Sequence, residues 1–122
     1  MTAVRNLVVK CTWGTDAPER CSQAFTVAAT ALAAGASVSL WLTGEGVWLA
    51  LPGRAEAFTL PHSPPLAELR DAVLGAGTLT VCTQCAARRD LGEVDVLPGV
   101  RIAGAAVFVE EALGEGTQAL VY

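Results

Sequence analysis

Two cysteines separated by two residues, Cys82 and Cys85, are the residues of this chain best suited to chemistry. They follow an apolar run, residues 78–81, that predicts a short buried strand, and residues 84–90 have the composition of a helix. A cysteine at such a junction lies beside backbone N–H groups that have no partner within the helix, and these donors favour a thiolate over a thiol. We therefore expect Cys82 to be a nucleophile with a lowered pKa.

The rest of the chain alternates short apolar runs with helical segments, which predicts an α/β fold. The runs cover residues 7–9, 38–42, 79–81, 100–102 and 119–121. They are nearly continuous, as in strands that a parallel sheet buries on both faces. With right-handed crossovers, the pattern predicts a single domain over residues 1–122: an open, mainly parallel five-stranded sheet with helices on both faces, in three α/β/α layers.

Four further helices are expected around these strands. In the first, Asp16 is placed to cap the helix, Glu19 occupies the capping-box position after Pro18, and Gly35 ends it. Its apolar stripe consists of Cys21, Phe25, Ala28 and Leu32. The other three are a short helix over 45–51, a helix from Pro64 to the glycines at 75–77, and a last helix over 105–113. Residues 91–99 are expected to form a loop.

Three loops should meet at one edge of this sheet. In open α/β sheets, ligands and reactive groups collect outside the carboxyl ends of the strands. The segments 11–14, 43–46 and 82–85 all fall at that edge. We predict catalytic roles for Cys82 and Cys85, and binding roles for Trp13, Gly14, Gly44 and Glu45.

Composition limits the partners of the chain. Hydrophobic residues make up 52% of it and charged residues 16%, a balance that favours self-association. An apolar surface patch is expected around the turn that carries Trp41, Trp48, Leu49 and Leu51. The formal net charge is −4, from 12 acidic and 8 basic residues. Nucleic acid is therefore not an expected partner, because phosphate binding needs a basic face.

The sequence predicts a cytoplasmic protein with reduced thiols. Residues 1–6 lack the apolar core of a signal peptide, and no uncharged apolar run approaches the ~20 residues of a membrane span. A cytosolic chain with this much apolar material needs no disulfides, so all four cysteines are expected to be free.

Two alternative uses of the thiol pair stay open. Cys82 and Cys85 have the spacing of half a zinc site, which Cys11 and His62 could complete, but a second paired motif is missing and no metal or other cofactor is expected. The same spacing at a helix start also suits a thioredoxin-like disulfide switch.

The remaining reactive residue types have plain structural interpretations. Cys21 lies on the apolar stripe of the first helix and is expected in the core, whereas Cys11 ends a strand and is harder to assign. His62, the only histidine, should be an exposed loop imidazole, since no serine elbow accompanies it. Glu110 and Glu111 should point in different directions from a helix into solvent.

Three ordered segments carry a resemblance to a known family. The residues Trp13-Gly14-Thr15, followed by 21–25, resemble an aromatic-Gly-Thr turn and first helix, and residues 42–47 resemble a second strand and turn. Val81-Cys82 with Arg88-Arg89 resembles an active-cysteine segment. The chain thus resembles the DsrE/DsrF-like family, which includes the sulfur-relay carriers of the TusD type.

The resemblance implies a small sulfur carrier, or sulfurtransferase, in which Cys82 accepts sulfane sulfur as a persulfide and passes it to a partner protein. It also implies assembly into trimers or hexamers, or with related co-subunits, and partners that donate and accept sulfur. The matched segments also imply binding roles for Thr15 and Arg88, and Arg88 or Arg89 could stabilise the anion. Cys85 could either resolve the persulfide or be a core residue that faces away from Cys82. Because the family also contains members with no assigned activity, a non-catalytic oligomeric binding or regulatory module is the alternative.

Overall fold

A computed structural model describes residues 5–122 as one five-stranded sheet in which every neighbouring pair of strands is parallel. The strands are β1 (Asn6–Cys11), β2 (Ser37–Leu42), β3 (Thr78–Cys82), β4 (Arg101–Ala103) and β5 (Thr117–Val121). Their order across the sheet is β4-β3-β2-β1-β5. All five predicted strands are present.

Five α-helices and one 3₁₀ helix connect the strands. They are α1 (Pro18–Ala33), the 3₁₀ helix (Gly44–Ala50), α2 (Arg54–Ala57), α3 (Leu66–Ala76), α4 (Thr83–Ala87) and α5 (Ala105–Ala112). Only the four-residue α2 was not expected, since it lies in the proline-containing connection. Residues 91–99 contain no helix or strand, as predicted.

The strand order decides which face each helix covers. From β1 to β4 the chain always steps in the same direction, so right-handed crossovers place α1 and α3 on one face, where they pack together. The step from β4 to β5 crosses back to the other side of β1 and places α5 on the opposite face. The prediction of helices on both faces is therefore confirmed.

The two faces of the sheet differ in chemistry. The side under α1 and α3 is the apolar core and includes Val9, Cys11, Leu40, Leu42, Leu79 and Val81. The intervening residues Lys10, Ser39, Trp41 and Thr80 alternate to the α5 side. The expectation that the strands are buried on both faces holds for Trp41 and Thr80, which are 1% and 0% exposed, but the α5 side also carries polar side chains.

The start of α1 also differs from the prediction. Ala17 is the N-cap residue and the cap has no side-chain hydrogen bond. Asp16 instead turns away from the helix, and its Oδ1 accepts a hydrogen bond of 2.8 Å from the Gly14 N–H. Asp16 therefore stabilises the preceding turn. Gly35, with a φ of +91°, follows the helix end as expected.

The predicted apolar patch around the 3₁₀ helix is wrong. Trp41 and Leu49 are 1% and 2% exposed, and Trp48 and Leu51 are half-buried. The large apolar side chains that are exposed lie elsewhere: Val94, Val109, Leu113, Leu120 and Val121. Four of these five belong to α5, the residue after it and β5, the last elements of the chain.

The sequence predicted neither a membrane-spanning segment nor a signal peptide. No helix among residues 5–122 is long and apolar enough to cross a membrane. Residues 1–4, which belong to the segment used to predict the lack of a leader, lie outside the described residues.

Candidate active site

The three loops predicted to meet at the carboxyl edge of the sheet do pack against each other. A Cβ added at Gly14 would lie 2.5 Å from the carbonyl oxygen of Glu45, so only glycine allows this approach. Gly44 has a φ of +54°, and a Cβ there would lie 2.8 Å from the Thr12 carbonyl oxygen. Gly14 and Gly44 were predicted as binding residues, and in the structure they allow two loop backbones to touch.

Cys82 ends β3 and is the N-cap residue of α4. It pairs with Ala103 of β4, and its half-exposed thiol lies 3.4 Å from the side-chain oxygen of Gln84. Partial burial raises the pKa of the Cys82 thiol, but the backbone N–H of Cys85, the Cys85 thiol, the Gln84 N–H and the positive charge of Lys10 lower it. The net effect is a lowered pKa, which favours the thiolate.

Cys85, in the first turn of α4, contacts both the Cys82 thiol and the apolar core. Its thiol is among the groups that lower the pKa of Cys82, so it faces that sulfur, and it also packs against the apolar core. The Nη1 atom of Arg88 lies 3.8 Å from the Cys85 sulfur. Both cysteines are free thiols. The structure therefore brings three of the predicted site residues together.

An ion pair that the sequence did not predict joins the second loop to α4. The Nε atom of Arg89 donates to the Glu45 carboxylate at 2.8 Å, and Arg89 Nη1 donates to the Cys85 carbonyl oxygen at 3.0 Å. The same carboxylate accepts a hydrogen bond of 3.2 Å from Trp48 Nε1. Glu45 was predicted as a binding residue, and its carboxylate holds the Arg89 guanidinium against the backbone carbonyl of Cys85.

Trp13 and Thr15 lie farther along the first loop. Trp13 packs half-buried against the core, and the guanidinium of Arg20 lies 5.1 Å from its ring centroid. Thr15 is exposed and borders a cavity of about 220 Å³ together with Glu45, Trp48, Leu49, Arg54, Ala57 and Phe58. Neither cysteine of the Cys82/Cys85 pair borders this cavity, so Thr15 is not joined to the thiol site.

Cys11 and Cys21 form a second thiol pair, on the core side of the sheet. Both are 0% exposed. The contact between the two thiols lowers the pKa of Cys11 against the opposing effect of burial, and the same contact together with burial raises the pKa of Cys21. The Cys11 thiol is also 3.1 Å from the Trp13 carbonyl oxygen. The prediction of a core position is confirmed for Cys21 and extends to Cys11.

This placement bears on the zinc alternative. Cys11 lies on the opposite side of the sheet from Cys82, and exposed His62 borders a separate groove beside α1. Within residues 5–122, no three His, Cys, Asp or Glu side chains are grouped closely enough to hold a metal ion. The four residues considered for zinc are therefore not brought together.

The α5 side of the sheet carries a polar network that differs from the prediction. Glu111, predicted to face solvent, accepts hydrogen bonds from Ser39 Oγ at 2.6 Å and Trp41 Nε1 at 3.0 Å, and pairs with Arg101 at 2.6 Å. Glu110 alone is exposed as predicted. The reason is non-local: helical geometry separates the two carboxylates, but only the β4–α5–β5 crossover turns one of them onto the sheet.

Comparisons with known proteins agree with this architecture. Residues 6–121 match the model of the DsrE/DsrF-like family. The ychN protein from E. coli superposes with a TM-score of 0.81 at 13% identity, over 98% of this chain and 100% of that one. MTH1491 from Methanobacterium thermoautotrophicum, a protein of unknown function, superposes with a TM-score of 0.72 at 11% identity, over 98% and 100%. A comparison with curated proteins gives no match. Because the family model spans nearly the whole chain, the protein belongs to the DsrE/DsrF-like family.

Proposed function

We propose that the protein is a small sulfur carrier in which Cys82 receives sulfane sulfur as a persulfide and delivers it to a partner protein. The observation that carries the proposal is the position of Cys82 at the β3–α4 junction, where the amides of Gln84 and Cys85 lower its pKa. Membership in the DsrE/DsrF-like family supports it, since the family suggests a sulfur-relay role. Cys82 is also half-exposed, so a donor can reach it.

The transfer requires no external oxidant. The Cys82 thiolate attacks the outer sulfur of a donor persulfide, the S–S bond of the donor breaks, and the donor leaves as a thiolate with the bonding electron pair. The Cys82 persulfide then yields its outer sulfur to an acceptor thiolate, and Cys82 is released as a thiolate. The amides of Gln84 and Cys85 stabilise the sulfur anion before and after each step.

Cys85 gives the site a second possible reaction. Its thiolate can attack the inner sulfur of the Cys82 persulfide, forming a Cys82–Cys85 disulfide and expelling hydrosulfide. Two electrons from an external thiol reductant would then restore the pair. The contact between the two thiols also favours the second candidate function, a thiol–disulfide redox protein that carries no sulfur.

The partners belong to the same proposal. We propose a sulfur-donor protein and a sulfur-acceptor protein, and assembly of the chain into a trimer or hexamer or with related co-subunits. Val109, Leu113 and Val121 are exposed by 49%, 80% and 64%, which supports association through the α5 and β5 side.

Mass spectrometry of the intact protein tests the carrier role. After treatment with a persulfide donor, the wild-type chain should gain the mass of one sulfur atom, Cys82→Ser should gain none, and Cys85→Ser should keep the sulfur longer. Equal loading of the Cys82→Ser chain would refute the assignment. Loss of two hydrogen atoms from the wild type, together with no gain of sulfur in Cys85→Ser, would favour the redox alternative.

A further inference from the structure

The cations around the thiol pair differ in whether a carboxylate neutralises them. Arg89 pairs with Glu45 and Arg101 with Glu111. Within the described part of the chain, Lys10 has no carboxylate within 4.0 Å, and neither has Arg88. Lys10 is also the only lysine of a chain whose net charge is −4. Lys10 is therefore a positive charge without a carboxylate partner, on a protein whose net negative charge repels anions.

Strand register places Lys10 and Cys82 on the same side of the sheet. Lys10 pairs with Trp41 of β2, and Trp41 pairs with Thr80 of β3, two residues before Cys82. Because side chains alternate along a strand, Lys10, Trp41, Thr80 and Cys82 all point to the α5 side. Two strand spacings and two residues separate the Cα atoms of Lys10 and Cys82 by roughly 12 Å, a gap that the long lysine side chain can narrow.

The Lys10 ammonium is held rather than free. Its Nζ atom lies 3.9 Å from the ring centroid of Phe108, and this ring packs edge-on against Trp41 with centroids 5.4 Å apart. A cation–π contact orders the side chain without cancelling its charge. The effect of Lys10 on the pKa of Cys82 agrees with this placement. With Arg88 beside Cys85, two unneutralised cations flank the thiol pair.

We propose that Lys10 makes the Cys82 site selective for sulfur donors that carry negative charge near the transferred sulfur, such as a persulfide with free carboxylates. This inference rests on the proposed function and names its substrate class. Neutral persulfides would react more slowly because they gain nothing from Lys10 as they approach, and positively charged persulfides would be repelled by it. Lys10 acts here as a specificity-determining residue and takes no part in the covalent step.

Alkylation of Cys82 by iodoacetate and by iodoacetamide tests the field of Lys10 separately from sulfur transfer. Iodoacetate is an anion and iodoacetamide is neutral. Because both react with the same thiolate, a change in the nucleophilicity of Cys82 alters both rates equally and leaves their ratio unchanged. At low salt, Lys10→Met should lower the iodoacetate-to-iodoacetamide ratio about fivefold, and Lys10→Arg should restore it. Peptide fragmentation assigns each adduct to Cys82 or Cys85. Arg5→Gln is the matched control, because Arg5 lies before β1, at the opposite end of that strand.

An unchanged ratio in Lys10→Met, or an equal fall in Arg5→Gln, would overturn the proposal. If Lys10→Met fails to fold, the wild type still provides a test, because added salt should screen the charge of Lys10 and lower the wild-type ratio. A salt-independent ratio in the wild type would also overturn the proposal.

Sulfur loading provides the second measurement. Loading from glutathione persulfide, relative to cysteamine persulfide, should also fall in Lys10→Met and stay unchanged in Arg5→Gln. If the wild type loads no sulfur but its alkylation ratio depends on Lys10, the proposed carrier function fails while the anion preference of the site stands. If it loads both persulfides and Lys10→Met alters neither ratio, the carrier function stands and the inference about Lys10 fails.

Discussion

Replacement of Glu111 should loosen α5 from the sheet. This helix has no fully buried residue, so its attachment depends on a few contacts of Phe108 and Glu111. Glu111 Oε1 accepts hydrogen bonds from Ser39 and Trp41, and Oε2 accepts one from Arg101. A glutamine at this position would keep one oxygen, and its amide N–H₂ would face one of the three donors.

The expected destabilisation follows from these hydrogen bonds. If the glutamine oxygen still accepts from Ser39 and Trp41, the substitution removes only the charged hydrogen bond to Arg101, normally worth about 1.5–3 kcal/mol. The Arg101 side chain is 36% exposed, so water compensates part of it. We expect Glu111→Gln to lower the free energy of unfolding by about 2 kcal/mol. Glu111→Ala should cost about 4 kcal/mol, because it also strands the indole N–H of Trp41, which is 1% exposed.

The direction of the pKa shift of Glu111 predicts how the stability difference between wild type and Glu111→Gln changes with pH. Burial raises the pKa of Glu111, but hydrogen bonds from Ser39, Trp41 and Arg101 lower it, and the net shift is downward from 4.5. A carboxylate whose pKa is lower in the folded chain than in the unfolded chain stabilises the fold fully at pH values above its unfolded pKa. This stabilisation is lost as the pH falls through its folded pKa. The difference in stability between wild type and Glu111→Gln should therefore narrow below pH 4.5.

Urea unfolding at a series of pH values measures these differences. Glu110→Gln is the matched control, since Glu110 carries the same charge on the same helix and is exposed. Its unfolding free energy should stay within about 0.5 kcal/mol of the wild type. Equal decreases for the two variants, or a Glu111→Gln deficit that persists undiminished at low pH, would refute the role given to this carboxylate.

Three further predictions concern the thiol site and assembly. The alkylation rate of Cys82 should rise with a midpoint below 9.0, because its folded environment favours the thiolate; a midpoint equal to that of the urea-unfolded chain would contradict this. Light scattering at micromolar concentration should report a trimer or larger, given the exposed Leu113 and Val121; a monomer at every concentration would remove the claim. Elemental analysis of the purified protein should find no tightly bound zinc, and one zinc per chain that disappears in Cys82→Ser would make the metal interpretation the better one.

The elements of the fold could be predicted because their signals are local. Each strand is an apolar run, and Pro18 and Gly35 bracket α1 closely. The position of β5 beside β1 has no local signal, since it depends on which sheet edge the last crossover reaches. The polar side of the sheet was missed for the same reason: Ser39 and Thr80 break apolar runs, but only the location of α5 explains what they contact.

In the candidate site, too, features with a local sequence signal could be predicted, whereas contacts between residues distant in the sequence could not. Cys82 could be located from the sequence because a strand end and a helix start are adjacent in the chain. The Arg89–Glu45 ion pair joins residues 44 positions apart, and the Cys11–Cys21 contact crosses from a strand to a helix. Lys10 was missed because it lies inside the first strand, where periodicity identifies a face but not what lies across it.

Because Cys11 and Cys21 are buried between α1 and the sheet, their reaction with a thiol reagent reports how often α1 separates from β1. A thiol reagent reaches the half-exposed Cys82 and Cys85 directly, but it reaches the other two only when α1 lifts from β1. The slow phase of labelling therefore measures how often that helix separates, much as amide exchange does for a backbone hydrogen. Because each adduct adds a fixed mass, one time course would follow the reactivity of the site and the opening of the core in the same sample.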